Sequence, residues 1–453
     1  MGDVYWLALK YKQKTQITFA GISAVCLILV KMPNNDYIVA LDIGSSSIRT
    51  VVAQVIPKDK PRIIGVGVSV SSGIRRGEVA DIEEVSNSIA QSIAKAELNS
   101  GIKIESVYVS IGGKHLECFE TKGVIAVGRA DGEVDESDVE RVIVASQAVS
   151  LPPNKEVLHI IPQNYRLDDQ EGIKDPVGMS GVRLEMQGMI IMGSAPHIKN
   201  ITKCVHNNEL EVDGLVISSL AAAKAVLSKR QKELGVILVD IGGGTTSISV
   251  YEERNLMHVA VIPVGADHIT NDIAIGLRTS IDVAEKVKIK FGSALPREID
   301  KKEQVNLADI DEGEEGTVAQ KHVAEIIEAR LEEIMFLVEK ELKRIKRSAL
   351  LPAGTVLVGG GACMQGSIDL TKDVLKLPAQ TGFPVELSGL IDKVDNPAFS
   401  VAVGMIIWVT EETVITNGNE FGGKGNGNLS EAFKIVVGSA KTAKKILKKF
   451  LPN

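Results

Sequence analysis

Two short segments of this chain carry residue types in an order that suits chemistry on an anion. One reads Asp42-Ile43-Gly44-Ser45-Ser46, the other Asp240-Ile241-Gly242-Gly243-Gly244-Thr245-Thr246. In each, an apolar run ends on a carboxylate, and glycines and small hydroxyls follow at once. A carboxylate at a strand end faces the crevice where α/β sheets bind ligands. Glycines there let backbone N–H groups approach an anion, and Ser45, Ser46, Thr245 and Thr246 add hydroxyl donors. A single such turn is weak evidence, because Asp-x-Gly opens many ordinary turns. Two in register, one in each half, could clamp a triphosphate. Asp42 and Asp240 would then both reach a Mg²⁺ through its waters, since that ion dehydrates reluctantly. A third segment sets Gly359, Gly360 and Gly361 between an apolar strand and a helix. It reads either as a tight strand–helix turn or as a flat ledge for an adenine ring.

Strands and helices must position these turns, and from residue 36 onward they alternate. Residues 37–42 form an apolar run, 47–55 pair with it as a hairpin, and 62–70 supply a third strand. Residues 81–98 place Ile82, Val85, Ile89, Ile93 and Ala96 on one helical face behind Asp81 as cap. After a strand at 106–111 the text changes character. Residues 112–191 are polar, with turns at Asp131-Gly132 and Pro152-Pro153 around one helix at 137–148, and predict a small inserted α+β unit. The main pattern then resumes: a helix at 197–208, a strand at 214–219, a helix at 220–227 and a strand–turn–strand at 235–251. Helices at 266–292 and 318–347 flank an acidic loop near 309–315; a strand at 355–358 and a closing helix at 396–409 follow. Residues 416–428, rich in Gly and Asn, predict a flexible linker. The echo of Asp42 in Asp240 reads as duplication of a domain.

The fold class is therefore α/β: two lobes with a duplicated βα core, a small inserted α+β subdomain and a C-terminal amphipathic helix. A length of 453 residues leaves room for roughly three units. Hydrophobic residues make up 44% and charged ones 24%, which excludes a chain disordered throughout. A net charge of −7 argues against nucleic acid held by a general positive field, and 4% aromatics are too few for base stacking. Cys26, Cys118, Cys204 and Cys363 lie far apart without metal-ligand spacing, as in a reduced cytosolic protein.

Both ends stand apart. Residues 431–453 hold six Lys and one Glu. Wound at about 100° per residue, Phe433, Val436, Val437, Ala440, Ala443, Ile446, Leu447, Phe450 and Leu451 share an apolar arc. Lys434, Lys441, Lys445, Lys448 and Lys449 line the adjoining side, while Lys444 falls within the arc and must snorkel. Such a helix lies on an anionic membrane surface without crossing it. At the other end, Lys10, Lys12 and Lys14 precede an apolar run at 17–30, short for a membrane span and without a clear cleavage site. Residues 1–31, within an N-terminal extension at 1–35, read as an upstream segment ahead of a start at Met32, with a second membrane anchor as the alternative.

With all three glycine turns in order, the chain resembles the actin, Hsp70 and sugar-kinase superfamily of split-domain ATP-binding proteins. Within it, residues 107–115 (VYVSIGGKH), 157–163 (VLHIIPQ), 170–183 (QEGIKDPVGMSGVR) and 235–250 are similar to the FtsA family of bacterial cell-division proteins. The resemblance runs over about residues 36–410 and extends to the type of tail. It implies a first lobe at 36–111 and 192–233, the latter with the connecting helix, and the inserted subdomain at 112–191. It implies a second lobe at 234–270, its outer subdomain at 271–345, an adenosine motif at 346–395, a closing helix at 396–414, a linker at 415–430 and the membrane helix at 431–453. ATP and Mg²⁺ are the implied cofactors. Glu285 and Lys288, in AEKVKIKFGSA, would contact ribose and adenine, with Met364 beside the adenosine glycines; the same pair also reads as ordinary i,i+3 helix charges.

The implied partners are the C-terminal tail of the ring protein FtsZ on the 271–345 lobe, further copies in a filament, later division proteins and anionic lipid. The implied place is the cytoplasmic face of the membrane at the division septum. One position departs from an active hydrolase. Where the superfamily sets a Gln or Glu to orient water, Ser218 and Ser219 stand, so no catalytic residue is assigned and hydrolysis is expected to be slow or filament-assisted. A small-molecule kinase and a rod-shape or pilus-assembly homologue are the alternative readings.

Overall fold

Apolar, β-branched runs broken by turn residues build two sheets of one design. The structure, a computed structural model, describes residues 37–418 apart from 57–58, 130, 148–151, 153 and 386. The extension at 1–35, the membrane helix at 431–453 and the linker beyond Gly418 lie outside the described residues.

In the first lobe β1 (Tyr37–Ile43), β2 (Ser47–Gln54) and β3 (Arg62–Val70) form an antiparallel meander. Helix α1 (Ile82–Ser100) starts at Asp81, whose carboxylate accepts the N–H groups of Glu83 and Glu84, and its buried Val85, Ile89, Ile93 and Ala96 lie on β3. Next, β4 (Ser106–Ile111) lies parallel to β1. The insertion follows as β5 (Glu117–Ala126), α2 (Glu136–Ser146), β6 (Lys155–Leu167), β7 (Gln170–Ile173) and β8 (Arg183–Ser194), a sheet of order β5-β8-β6-β7. Val134, Val142, Leu184 and Met186 give it a core of its own. The first lobe resumes with α3 (Ala195–His206), β9 (Glu211–Ile217), parallel to β4, and α4 (Ser218–Val226).

The second lobe repeats the plan. The meander is β10 (Val236–Ile241), β11 (Thr246–Glu252) and β12 (Asn255–Ile262), followed by α5 (Ala266–Leu277), α6 (Ile281–Phe291) and α7 (Gln320–Arg344). Strands β13 (Thr355–Val358) and β14 (Ala379–Thr381), separated by α8 (Ser367–Leu375), lie parallel beside β10; α9 (Ser400–Gly418) ends the described chain. The orders β3-β2-β1-β4-β9 and β12-β11-β10-β13-β14 coincide, the first sheet adding a short sixth strand, Ser388–Gly389, beside β3. The faint sequence echo is a repeat of topology.

Some boundaries differ from the sequence reading. The helix expected over 266–292 is two, because Arg278 takes φ 58° in the left-handed region and Ser280 then caps α6. The stretch before α7 holds a small ladder of Gln304–Asn306 with Thr317–Ala319 beside its acidic loop. Pro397 opens a separate 3₁₀ turn, so the closing helix begins at Ser400, and it continues to Gly418 through the first part of the expected linker. Among the described residues no helix is long and apolar enough to cross a membrane.

Two of the contacts that bind the pieces involve α9. Helices α4 and α9 cross with their backbones touching: a Cβ on Gly404 would fall 1.8 Å from the Ala221 carbonyl oxygen. In the insertion, half-buried His159 on β6 lies against Trp408 of α9, with ring centroids 5.5 Å apart. Its Nε2 has no hydrogen-bond partner among the described residues, and burial lowers its pKa to about 4.

Replacing Gly404 by Ala should force the crossing helices apart at a cost of about 1–3 kcal/mol, a fall of several degrees in Tm by scanning calorimetry; an unchanged Tm would show that the crossing opens freely. His159 makes a second test. Its folded pKa lies below the ordinary 6.5, so its contribution is complete above that value and is lost as pH falls through the folded one. Urea midpoints should therefore drop between pH 6.5 and about 4, and His159→Phe, which cannot take up the proton, should flatten that slope.

Candidate functional site

The C-terminal ends of β1 and β10 open on one cavity of about 540 Å³ between the lobes. The two turns that follow them are alike. Gly44 N–H donates to the Ser47 carbonyl at 3.2 Å, and Gly242 N–H donates to that of Thr245 at 2.9 Å. The wall takes Asp42, Gly44, Ser45 and Ser46 from the first turn, and Asp240, Gly242, Gly243 and Thr245 from the second. Gly359, Gly360, Gly361 and Met364 enter after β13, and Glu285 and Lys288 from α6. Gly244 and Thr246 are not brought to the wall. Thr246 is buried at the start of β11, and its hydroxyl donates to the Val264 carbonyl at 2.8 Å.

The glycines differ in what they allow. A Cβ on Gly243 would lie 2.7 Å from that of Ser46, so the two lobes' turns meet there without room for a side chain. Gly359, at φ +83°, would drive a Cβ to 2.4 Å from Asp240 Oδ1. Gly360 is the opposite case: a Cβ there would meet no protein atom within 4 Å. Its bare surface faces open cavity, as a ledge for a flat ring requires.

The charges are unbalanced. Asp42 is buried; Ser110 Oγ donates to its Oδ1 at 2.7 Å, and Arg49 Nη1 stands 4.0 Å from Oδ2. Burial raises its pKa, with Arg49 and Ser110 pulling it back. Asp240 is enclosed by protein except where it opens on the cavity; burial first, and then the charge of Asp42, push it up to about 7. Asp267, also on the wall, is raised by burial against the pull of Lys288. A dication among these oxygens would relieve the repulsion. Among the described residues no three His, Cys, Asp or Glu side chains gather to hold a bare ion. The donor set of two carboxylates with hydroxyls suits Mg²⁺ completed by water and phosphate oxygens.

Lys288 is only 8% exposed. Its Nζ donates to Thr270 Oγ1 at 2.7 Å, pairs with Glu285 Oε2 at 2.6 Å and reaches the Ala266 carbonyl at 3.4 Å. The Glu285–Lys288 pair thus locks α6 to α5 at the wall, which is more than a solvated helical ion pair does. Ser218 lines the cavity, whereas Ser219 is buried, and no Gln or Glu opens α4.

Sequence reasoning missed Arg49, Ser110 and Asp267. Arg49 is an alternate residue of β2 whose guanidinium stands 5.4 Å from the Phe399 ring centre, and nothing local marks it. Asp267 is set on the wall by tertiary contacts. It follows Gly265, where a Cβ would fall 2.4 Å from the Gly243 carbonyl oxygen, and its own N–H donates to that carbonyl at 2.9 Å.

A family model described as cell division protein FtsA matches residues 237–404, and one described as the SHS2 domain inserted in FtsA matches residues 113–192. The chain is 38% identical over 380 residues to cell division protein FtsA of Pseudomonas aeruginosa, covering 84% of this chain and 91% of that one. With the Bacillus subtilis protein of that name the identity is 38% over 375 residues, covering 83% and 84%; with that of Escherichia coli strain K12 it is 35% over 385 residues, covering 83% and 91%. Among solved structures, a PilM-PilN type IV pilus biogenesis complex gives a TM-score of 0.59 at 17% identity, covering 83% of this chain and 99% of that chain. MreB 5 of Spiroplasma citri bound to AMPPNP gives 0.51 at 14%, covering 86% and 99%. At those identities the likeness is one of fold, here actin-like. The relatives at 35–38% identity go further, and the chain belongs to the FtsA family of cell-division proteins.

Proposed function

We propose that this chain binds Mg-ATP between its lobes and serves cell division as a polymerising scaffold on the cytoplasmic membrane face, tethering the FtsZ ring and recruiting later division proteins. The observation that carries the nucleotide is the convergence of both Asp-Ile-Gly turns and the Gly359–Gly361 ledge on one cavity. That a neighbour in fold was solved with AMPPNP supports it.

In this reading Asp42 and Asp240 hold Mg²⁺ through its waters, and the ion supplies positive charge at the phosphates. Gly44, Ser45, Ser46, Gly242, Gly243 and Thr245 offer phosphate donors, and Arg49 adds a cation to those named from sequence. Gly244 leaves room for Ser45 of the opposite turn, and Thr246 braces its own turn through the Val264 carbonyl. Gly359, Gly360, Gly361 and Met364 take adenine, with Glu285 and Lys288 at the ribose end. Ser218 is a poor base, and a positioned acid–base group contributes a factor of about 10²–10⁴. Turnover is then slow, and the nucleotide acts as a switch. The 271–345 subdomain takes the FtsZ tail. The insertion meets neighbouring copies or later division proteins. Residues 431–453 hold the membrane, where each lysine contributes about 1 kcal/mol near an anionic leaflet.

Gly360→Val should leave thermal stability intact and weaken ATP binding about tenfold or more, since its branches intrude only on ligand space. Fluorescence titration beside a melting curve checks both, and full affinity in the variant would remove the ledge from the site. Co-sedimentation with anionic vesicles tests the scaffold. The whole chain should pellet, with arrays that depend on Mg-ATP, and a chain ending at Asn428 should stay in the supernatant. If both stay in the supernatant in every condition, the membrane reading is wrong.

A further inference from the structure

The two segments of the insertion most distinctive in sequence, 157–163 and 170–183, have no place in the cavity wall. They reach across to the other lobe. The Gln163 side-chain amide donates to the Leu256 carbonyl. Lys174 Nζ donates to Asn255 Oδ1 at 2.7 Å, while holding Asn164 Oδ1 at 2.8 Å and the Gln163 carbonyl at 3.1 Å in its own subdomain. Its ammonium group therefore bridges the insertion and the second lobe. Behind this polar bridge, Leu158 of the insertion shares an apolar cluster with Leu256 and Val259 of β12, and Ile161 packs against it.

Asn255 and Leu256 stand where leverage is large. They open β12 just past the turn Glu253-Arg254, whose φ values of 50° and 63° make a tight hairpin. That turn is at the end of β11 away from Thr245, roughly 20 Å along the strand at about 3.3 Å per residue. At its other end the insertion springs from Gly112 and Gly113, which line the cavity. It thus runs from the cavity wall of one lobe to the far hairpin of the other. Any change in the separation of the lobes must strain or break this joint.

We propose that Gln163 and Lys174, with Asn255 and Leu256, form a latch that resists lobe opening and so slows exchange of the bound nucleotide; this rests on the nucleotide reading above. Side-chain hydrogen bonds of this kind each contribute roughly a factor of five, and those to charged groups more. Losing both should speed opening by about twenty-five-fold or more.

The test uses the full chain loaded with a fluorescent ATP analogue and chased with excess unlabelled ATP. The double variant Gln163→Ala, Lys174→Ala should release the analogue about twenty-five-fold faster or more. Asn255→Asp, which sets a carboxylate against Lys174, should slow release, and an effect of opposite sign cannot come from misfolding. Release at the wild-type rate in both variants overturns the latch. Hydrogen exchange of residues 251–262 is read alongside without nucleotide, and should quicken in the double variant. If the wild type fails to bind the analogue, the nucleotide reading falls and the exchange decides alone: unchanged protection of that hairpin would refute the latch.

Discussion

Asp42 and Asp240 end matching strands in two sheets, and each is drawn out of bulk water beside the same cavity, where burial disfavours the charged form of both and the charge of Asp42 further disfavours that of Asp240. An ionised carboxylate withdrawn from water is costly unless a cation or hydrogen bonds compensate it. Ser110 and Arg49 compensate Asp42 in part, and Asp240 has less. The surroundings answer that deficit. Glycines replace side chains wherever the turns of the two lobes come together, and hydroxyls and backbone N–H groups line the rest. The repeat of one sheet topology is what sets two such strand ends against each other.

Rigidity is distributed unevenly around this centre. The Gly404–Ala221 crossing leaves no space for even a methyl group, so α4 and α9 hold their spacing by direct backbone contact. Both helices begin at the cavity, through Ser218 on one side and Pro397, Ala398 and Val401 on the other. The insertion meets the second lobe in another way, through a lysine head, an amide and a modest apolar contact. Contacts of that kind hold until they are broken and can form again afterwards, as a latch needs.

Much of this was legible in the chain itself. The period of the apolar residues marked most strands and helices, and the echo of Asp-Ile-Gly marked the duplication. Asp81 announced α1, because a capping carboxylate acts on the N–H groups that follow it. The break at Arg278 was hidden, since a non-glycine residue in the left-handed region leaves little local trace. Thr246 looked like a phosphate ligand by position, yet strand alternation turns its hydroxyl to Val264.

By itself the sequence determined those features that depend on neighbours in the chain: the turns, the caps, the polar character of the insertion and the glycines that leave room. Tertiary structure alone decided the partners of long-range pairs. Arg49 with Phe399, Ser110 with Asp42, Gly404 with Ala221 and Lys174 with Asn255 each join residues from separate elements. Their chemistry arises from distance and burial, and neither is set until the sheets have twisted and the helices have packed. For the same reason Asp240 is an ordinary carboxylate in the unfolded chain and becomes a reluctant acid only when the fold sets it near Asp42 and away from water.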